Sequence, residues 1–236
     1  MVKQRTDRGT GPGAIAPDGS PVEFYALLAP QDEPDIVADA MGDHGSILEL
    51  GSGPGRLTRA LIAAGYEVVA VDESAEMLKR IPGARRVCAR IETLMLDQRF
   101  DCVLLPSFLI NTPDAGQRAA FLATCRRHVR DDGCVLVEWQ PAQVQDSFAA
   151  GQGRTVRGIR VIMVSLAFPA PDLAALTMQY QGAGHTWTQS FMSRRLTEDD
   201  LAGCLADAGL VLDGYLTDDR TWVRAVPRRL TAAGPA

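Results

Sequence analysis

The chain has 236 residues, of which 46% are hydrophobic and 22% charged, and its formal net charge at pH 7 is -5. This length predicts one large domain, or one domain with an insertion, whose core is large enough to need no disulfide or metal. An acidic chain without a long lysine and arginine run is a poor match to nucleic acid or an anionic membrane surface, so we expect neither as a partner. The sequence has no run of about 18 apolar residues, which argues against a membrane span. Its five cysteines, none in a C-x-x-C pair, are typical of a reducing compartment, and we expect a cytoplasmic protein.

The amino-terminal part of the chain is expected to be irregular before a regular pattern begins. Residues 1–21 are rich in glycine, proline and charge, which predicts a flexible tail or a lid. Short helices are expected at 22–28 and 35–41, separated by prolines. Strands and helices then alternate, which predicts a parallel sheet with helices on both faces. The expected elements of this part are strand 46–50, helix 56–64, strand 67–71, helix 75–80, strand 85–89, strand 100–105, helix 117–129 and strand 134–139.

The pattern changes in the second half of the chain. Residues 150–193 contain long β-like stretches around a Gly-Ala-Gly turn, which predicts a small antiparallel insertion. A helix capped by Thr197, with Asp200 three residues on, is expected to end at Gly209. Two closing strands, 211–216 and 221–226, precede a flexible tail at 227–236. We therefore expect one doubly wound α/β domain over 22–226, with seven main strands, the last of them antiparallel.

The most informative segment runs from residue 47 to residue 55 and reads ILELGSGPG. A strand leads directly into a turn with glycine at 51, 53 and 55, and glycine lets the backbone turn tightly and approach a ligand closely. Asp72 ends the next strand, 17 residues beyond Gly55. A carboxylate there can accept hydrogen bonds from ribose hydroxyls. The pattern predicts a nucleoside-binding site at the carboxyl edge of the sheet.

Two classes of nucleotide are disfavoured by the spacing. The G-x-G-x-x-G pattern of dinucleotide sites fails, because Arg56 or Thr58 stands where its third glycine would be. The P-loop pattern of ATP-binding proteins is also absent. Glu49, just before the turn, would repel a pyrophosphate but would favour a ligand that carries an ammonium or a sulfonium.

The segment Glu49-Leu-Gly51-Ser-Gly53-Pro-Gly55, together with Asp72, resembles the first and second motifs of the class I S-adenosylmethionine-dependent methyltransferases. The resemblance covers about 22–226 and is to the small-molecule, bacterial type. It implies in-line transfer of a methyl group from S-adenosylmethionine to an oxygen, nitrogen or carbon of a small metabolite, leaving S-adenosylhomocysteine. The residues that it places at the cofactor are Tyr25, Glu49, Gly51, Ser52, Gly53, Gly55, Asp72, Glu73, Met77, Ile91, Glu92, Pro106 and Ser107.

The resemblance is looser at Tyr25 and in the segment after the third strand. Tyr25 matches an amino-terminal tyrosine that reaches the cofactor carboxylate in the family. After the third strand the family has an acid that binds the adenine amine, but Arg90 stands there in this chain. Ile91 is still expected to pack on the adenine and to offer its backbone N–H.

The acceptor side of the site is less defined by the sequence. The Asn/Asp-Pro-Pro-Tyr motif of enzymes that methylate amide or base nitrogens is absent, which argues against a nucleobase or glutamine acceptor. A general base is needed only if the acceptor must lose a proton. The candidates are His185, among aromatic residues of the insertion, and Glu138, at the end of the fifth strand. The side chains expected to contact the acceptor are Phe108, Asn111, Trp139 and Trp187.

The residues leave some alternatives open. The three histidines are far apart in sequence and no cluster has metal-ligand spacing, so we expect no metal. Because of Arg90, the chain could break another sulfonium bond, by cyclisation or aminocarboxypropyl transfer. A non-catalytic module that binds S-adenosylmethionine is a further alternative. Neither the acceptor nor the oligomeric state follows from the sequence.

Overall fold

The computed structural model describes residues 7–42 and 44–229, and it contains two sheets flanked by helices. The strands are β1 (Arg8–Thr10), β2 (Ser46–Leu50), β3 (Glu67–Asp72), β4 (Arg85–Cys88), β5 (Phe100–Leu105), β6 (Val129–Glu138), β7 (Gly153–Val156), β8 (Ile159–Ala170), β9 (Leu173–Gly182), β10 (His185–Arg194), β11 (Leu210–Tyr215) and β12 (Trp222–Pro227). The helices are α1 (Val22–Leu27), α2 (Glu33–Met41), α3 (Arg56–Ala63), α4 (Ala75–Leu78), α5 (Ala115–His128), α6 (Ala142–Asp146) and α7 (Glu198–Asp207).

Seven strands form the central sheet, in the order β11-β12-β6-β5-β2-β3-β4. Strands β2 to β6 are parallel, and β12 runs antiparallel to both of its neighbours. The expected doubly wound fold with an antiparallel last strand is therefore confirmed. The carboxyl ends of β2, β3, β5 and β6 meet at one edge, which is where open α/β sheets bind ligands.

Both faces of this sheet are covered by helices, as its continuous apolar strands predict. One face packs Ile47 and Leu104 against α2 and α3. The other face packs Leu48 and Val103 against α5 and α7. Because β2 and β5 are buried on both sides, the residues at their carboxyl ends are held on a rigid base.

The helix ends follow the capping signals in the sequence. Asp114 caps α5 by accepting hydrogen bonds from the backbone N–H groups of Gly116 and Gln117. Thr197 and Asp200 form a reciprocal capping box at the start of α7, which confirms the predicted cap.

The second sheet has five antiparallel strands in the order β1-β10-β9-β8-β7. Four of them come from residues 153–194, so the predicted antiparallel insertion is confirmed. The fifth is β1, which pairs Arg8 with Ser190 and Thr10 with Thr188. Neither this strand nor α6 was predicted from the sequence.

Residues 8–21, in the segment where the sequence predicts a flexible tail or a lid, pack against the rest of the protein. Besides the β1 pairing, the indole N–H of Trp187 donates to the carbonyl of Pro12 (2.8 Å), and Ala16 is buried. The physical reason is that neighbouring strand β10 offers backbone groups that the polar Arg-Gly-Thr segment can satisfy. Residues 1–6 and 230–236, the rest of the two predicted tails, lie outside the described residues.

Within residues 7–42 and 44–229, no helix is both long and apolar enough to cross a membrane.

Candidate active site

The glycine turn at the end of β2 adopts a conformation that only glycine takes readily. Gly51, Gly53 and Gly55 all have positive φ, at 71°, 53° and 82°. A Cβ on Gly51 would lie 2.5 Å from Leu109, and one on Gly55 would lie 2.7 Å from Ile81, so both glycines also allow close packing. A Cβ on Gly53 would meet nothing within 4 Å. The backbone of Gly53 therefore faces open space, where a ligand can approach it closely.

Asp72 links this turn to the end of β3. One carboxylate oxygen accepts from the N–H of Gly53 (2.9 Å) and the other from the N–H of Ser74 (2.8 Å). Burial raises the pKa of Asp72 to about 6, although both backbone hydrogen bonds oppose this. Each oxygen keeps a lone pair, so two ribose hydroxyls can still donate to this carboxylate.

Glu49 lies beneath the turn and is 2% exposed. The Thr58 hydroxyl donates a hydrogen bond to its carboxylate, at 2.5 Å. Burial raises the pKa of Glu49 to about 7, and the negative charge of Asp72 adds to the effect. A cation bound above the turn would favour the ionised form of this carboxyl.

The loop after β5 forms the facing wall. Ser107 and Phe108 both have positive φ, at 59° and 57°, which is unfavourable for residues with side chains. The N–H of Ser107 donates to the carboxylate of Glu138, at the end of β6, with a distance of 2.5 Å. Two adjacent left-handed residues of this kind are typical of functional loops held in place by their surroundings.

Glu138 lies among other charged groups. Burial raises the pKa of Glu138 to about 7, the hydrogen bond from Ser107 lowers it, and the nearby carboxylates of Glu33 and Asp32 raise it further. Arg56, at the start of α3, lowers the pKa of Glu138 and forms an ion pair with buried Glu33. Glu138 is therefore poised to exchange a proton near neutral pH.

The region after β4 is closed by an ion pair. Arg90 pairs with Glu92 (2.7 Å), and Gln117 also donates to that carboxylate (2.9 Å). Burial raises the pKa of Glu92, but these hydrogen bonds outweigh it and the net shift is downward. Ile91 is 8% exposed and belongs to the main core cluster. The Glu92 carboxylate is therefore occupied by two side chains of the protein.

Two other residues placed at the cofactor lie near Asp72. Met77 is buried and donates its N–H to the Ser74 hydroxyl, one turn into α4. Glu73 follows Asp72 directly, and its carbonyl accepts a weak hydrogen bond from the Cys88 thiol (3.6 Å).

A hydrogen-bonded hub around Gln189 was not predicted from the sequence. The Gln189 carbonyl oxygen accepts from the hydroxyls of Tyr25 (3.0 Å) and Tyr180 (3.1 Å). Its amide nitrogen donates to Ser20 (3.0 Å), and Ser20 donates to Asp18 (2.9 Å). Burial raises the pKa of Tyr25, and the negative charge of Asp18 adds to this. No periodic signal could have revealed the hub, because its members come from two distant segments, 18–25 and 180–189.

Three of the four side chains expected at the acceptor are used for packing instead. Trp139 is fully buried and donates to the carbonyl of Arg220 (2.6 Å). Trp187 is 1% exposed and is anchored to Pro12. Asn111 is 2% exposed and binds three backbone groups of two residues. Its amide donates to the carbonyls of residues 140 and 194, and its oxygen accepts from the N–H of residue 140. We therefore leave these three side chains out of the proposed acceptor site, and Phe108 remains, 37% exposed on the loop after β5.

His185 is the first residue of β10. It is exposed at the hairpin end of β10, where its ring meets the edge of Trp187 with centroids 5.8 Å apart. Four residues of strand, a length of about 13 Å, separate it from Gln189. The general-base candidate that the structure places at the carboxyl edge is Glu138.

One protein family matches the segment that contains the glycine turn. Residues 47–133 match the family described as the methyltransferase domain, and the matched segment contains the glycine turn, Asp72 and Ser107. This match confirms the predicted resemblance to S-adenosylmethionine-dependent methyltransferases over the glycine turn and the three strands that follow β2 along the chain. No curated protein matches this chain by sequence.

Solved structures of methyltransferases share the fold of this chain at low sequence identity. CcbJ methyltransferase from Streptomyces caelestis has a TM-score of 0.70 at 18% identity, covering 86% of this chain and 92% of its own. CalS10, an amino pentose methyltransferase from Micromonospora echinaspora involved in calicheamicin biosynthesis, has a TM-score of 0.66 at 21% identity, covering 89% and 93%. The sugar N-methyltransferase KedS8 from Streptoalloteichus sp has a TM-score of 0.65 at 17% identity, covering 89% and 90%.

The residues of the turn fit the cofactor of this family. Ser52 is 6% exposed, and its hydroxyl oxygen is buried without a hydrogen-bond partner among the residues that the structure describes. Such an orphaned polar atom is expected where a ligand supplies the missing partner. The open space at Gly53 and the free lone pairs of Asp72 also indicate that a ligand binds at this turn. In the described part of the chain, no group of three or more His, Cys, Asp or Glu residues is placed to hold a metal ion.

Proposed function

We propose that this methyltransferase acts on an amine nitrogen of a small metabolite, with Glu138 accepting the proton that the amine must lose. The observation that carries the proposal is the position of Glu138, at the carboxyl end of β6, with its pKa raised by burial to about 7. Two solved structures with this fold are described as an amino pentose methyltransferase and a sugar N-methyltransferase, which supports an amine acceptor.

We assign the binding of S-adenosylmethionine to the two sides of the glycine turn. Asp72 would accept from the ribose hydroxyls, and the backbone of Gly53 would lie against the ligand. The Ser52 hydroxyl would find its missing hydrogen-bond partner on the cofactor, and Glu49 would stabilise positive charge above the turn. When bound, the cofactor supplies a methyl group that its sulfonium makes electrophilic.

The charge of the acceptor side favours a cation. Asp32, Glu33 and Glu138 carry three negative charges when ionised, and Arg56 supplies one positive charge. An amine in its ammonium form would therefore be attracted to this wall. An ammonium has no lone pair, so it must lose a proton before it can attack a carbon.

Glu138 would remove that proton. The Ser107 N–H holds one of its oxygens and so fixes the direction of the other. The amine nitrogen would then attack the methyl carbon, the carbon–sulfur bond would break with its electron pair going to sulfur, and the proton would remain on Glu138 until released to water. Holding the nitrogen in line and excluding water are the main contributions left to the protein.

The test is an activity assay with S-adenosylmethionine and a panel of amino sugars and other small amines, followed by mass spectrometry. We expect kcat/KM to rise with pH through about 7, because the ionised form of Glu138 is the active one. Glu138→Gln keeps an acceptor for the Ser107 N–H and should lose roughly a hundredfold or more of the rate, the usual scale for a general base.

A matched control is Glu67→Gln, an exposed glutamate at the opposite, amino edge of the same sheet, which should leave the rate unchanged. Methylation confined to hydroxyl groups would contradict the amine acceptor. Formation of methylthioadenosine in place of S-adenosylhomocysteine would show that another sulfonium bond is broken.

We also propose the compartment of the protein and the kind of partner that it binds. All five cysteines are free thiols, and three of them are buried, which supports work in a reducing compartment such as the cytoplasm. The chain is acidic, which supports a free small molecule over nucleic acid as its partner. A mobility-shift experiment with duplex DNA at low salt should show no complex, and a stable complex would contradict this setting.

A further inference from the structure

Residues 14–21 form a small hairpin, which we call the flap. The N–H of Val22 donates to the carbonyl of Ala14 (3.0 Å), and the N–H of Ala16 donates to the carbonyl of Ser20 (2.9 Å). The tip is a tight turn closed by a hydrogen bond from the N–H of Gly19 to the carbonyl of Ala16 (2.9 Å). Proline and aspartate stand at its two central positions, as is common in such turns.

One side of the flap reaches the cofactor-binding residues. Ala16, at the tip, packs against Met77 and Tyr25. The carboxylate of Asp18 is close enough to raise the pKa of both Asp72 and Tyr25. The flap therefore extends across the region where Asp72 and Tyr25 are assigned to the cofactor.

The other side of the flap rests on the five-stranded sheet. The amide of Gln189 donates to Ser20 at the end of the flap (3.0 Å). The backbones of Gly9 and Gly19 meet without an intervening side chain, since a Cβ on Gly9 would lie 2.0 Å from the carbonyl oxygen of Gly19. The flap thus bridges the two sheets above the carboxyl edge.

The connection between β1 and the flap can act as a hinge. Gly11 and Gly13 have φ of 125° and 88°, values that only glycine adopts without strain. Between them, the carbonyl of Pro12 is anchored to the indole of Trp187. Rotation at Gly13 would lift the flap while β1 stays paired with β10.

We propose that Gln189 is a positioning residue that latches this flap over the cofactor, holding the flap through Ser20 and the cofactor residue Tyr25 through its carbonyl oxygen. The proposal rests on the proposed function, because it takes Tyr25 and Asp72 as cofactor contacts. S-adenosylmethionine enters when the Gln189–Ser20 hydrogen bond opens, and the flap then closes on it. The latch therefore controls how fast the cofactor enters and leaves more than how tightly it binds.

Two variants break the flap end of the hub in different ways and leave its tyrosine end intact. Ser20→Ala removes the flap end and leaves both tyrosines bonded to Gln189. Gln189→Glu keeps an acceptor for both tyrosine hydroxyls but replaces the donor to Ser20 with a carboxylate near Asp18. Ser190→Ala is the matched control, because Ser190 is the next residue of the same strand and bonds Thr177 away from the flap (2.9 Å).

The experiment is stopped-flow binding of S-adenosylmethionine and S-adenosylhomocysteine to the full chain, with hydrogen exchange of residues 8–21 measured with and without S-adenosylhomocysteine. We expect both latch variants to raise the association and dissociation rates about fivefold, the factor for a hydrogen bond of about 1 kcal/mol. The double variant should be no faster than either single variant, since both break the same contact. Bound S-adenosylhomocysteine should slow exchange in the flap of the unmodified protein.

The outcomes distinguish the two proposals. If the unmodified protein binds neither ligand, the cofactor assignment itself fails. If it binds them but the latch variants keep unmodified rates, or if the two variants act additively, the latch is wrong. A Tm for each variant within a few degrees of that of the unmodified protein will show that the variants are folded.

Discussion

Replacing Glu49 with glutamine should stabilise the protein at alkaline pH while removing a charge that the cofactor needs. Glu49 is 2% exposed, and burial raises its pKa from the ordinary 4.5 to about 7. The folded protein therefore holds this proton more tightly than the unfolded chain does, so the free energy of unfolding falls as pH rises from about 4.5 to about 7. Glutamine keeps an acceptor for the Thr58 hydroxyl and has no charge to bury.

The size of the effect follows from about 1.4 kcal/mol for each pKa unit. For Glu49→Gln we expect a gain of about 3 kcal/mol at pH 8 and about 1.4 kcal/mol at pH 5.5, from the linkage relation. A gain of about 3 kcal/mol should raise Tm by roughly 6 to 12 °C in a chain of this size.

Urea unfolding of the variant and the unmodified protein, at both pH values, measures the gain directly. Glu67→Gln, at an exposed position, should leave the free energy of unfolding unchanged at both pH values. A variant that is no more stable at pH 8, or a gain that is the same at both pH values, would refute the assignment of a buried charge to Glu49.

Two further predictions concern the walls of the site. Asp72→Ala should weaken S-adenosylmethionine binding by about 1 to 3 kcal/mol, the scale of hydrogen bonds to a charged group, and an unchanged Kd in calorimetry would remove Asp72 from the ribose site. Ser107→Gly should stabilise the fold by about 1 kcal/mol in urea unfolding, because glycine tolerates the φ of 59° that serine holds there. The same change should lower kcat by loosening the loop that orients Glu138, and unaltered kcat would show that the loop geometry has no role in catalysis.

The sequence predicted the central sheet and its glycine turn because both depend on local signals. Continuous apolar strands are expected when both faces of a sheet are covered. Glycine at 51, 53 and 55, directly after a strand, predicts a tight turn that a ligand can approach closely. Strand β1 was missed because Arg8–Thr10 has no apolar alternation, and its pairing partner lies far along the chain. A polar triplet becomes a strand only when a neighbouring edge is present.

The acceptor site was harder to predict for a similar reason. Trp139 and Asn111 follow strands at the correct edge, but the direction of a side chain at a strand end depends on what packs around it. An asparagine that binds backbone groups and one that binds a ligand look the same in a sequence. The Gln189 hub depends on hydrogen bonds between residues as far apart as 20 and 189, and no pattern of residue spacing encodes these.

The pairing of β1 with β10 has a consequence for synthesis of the chain. Arg8 pairs with Ser190, so about 180 further residues must be synthesised after β1 before its pairing partner exists. At about 5 to 20 residues per second, this delay is roughly 10 to 40 s. Strand β1 therefore stays unpaired until β10 has been synthesised, and removing β1 would leave the edge of β10 open to pairing with other chains.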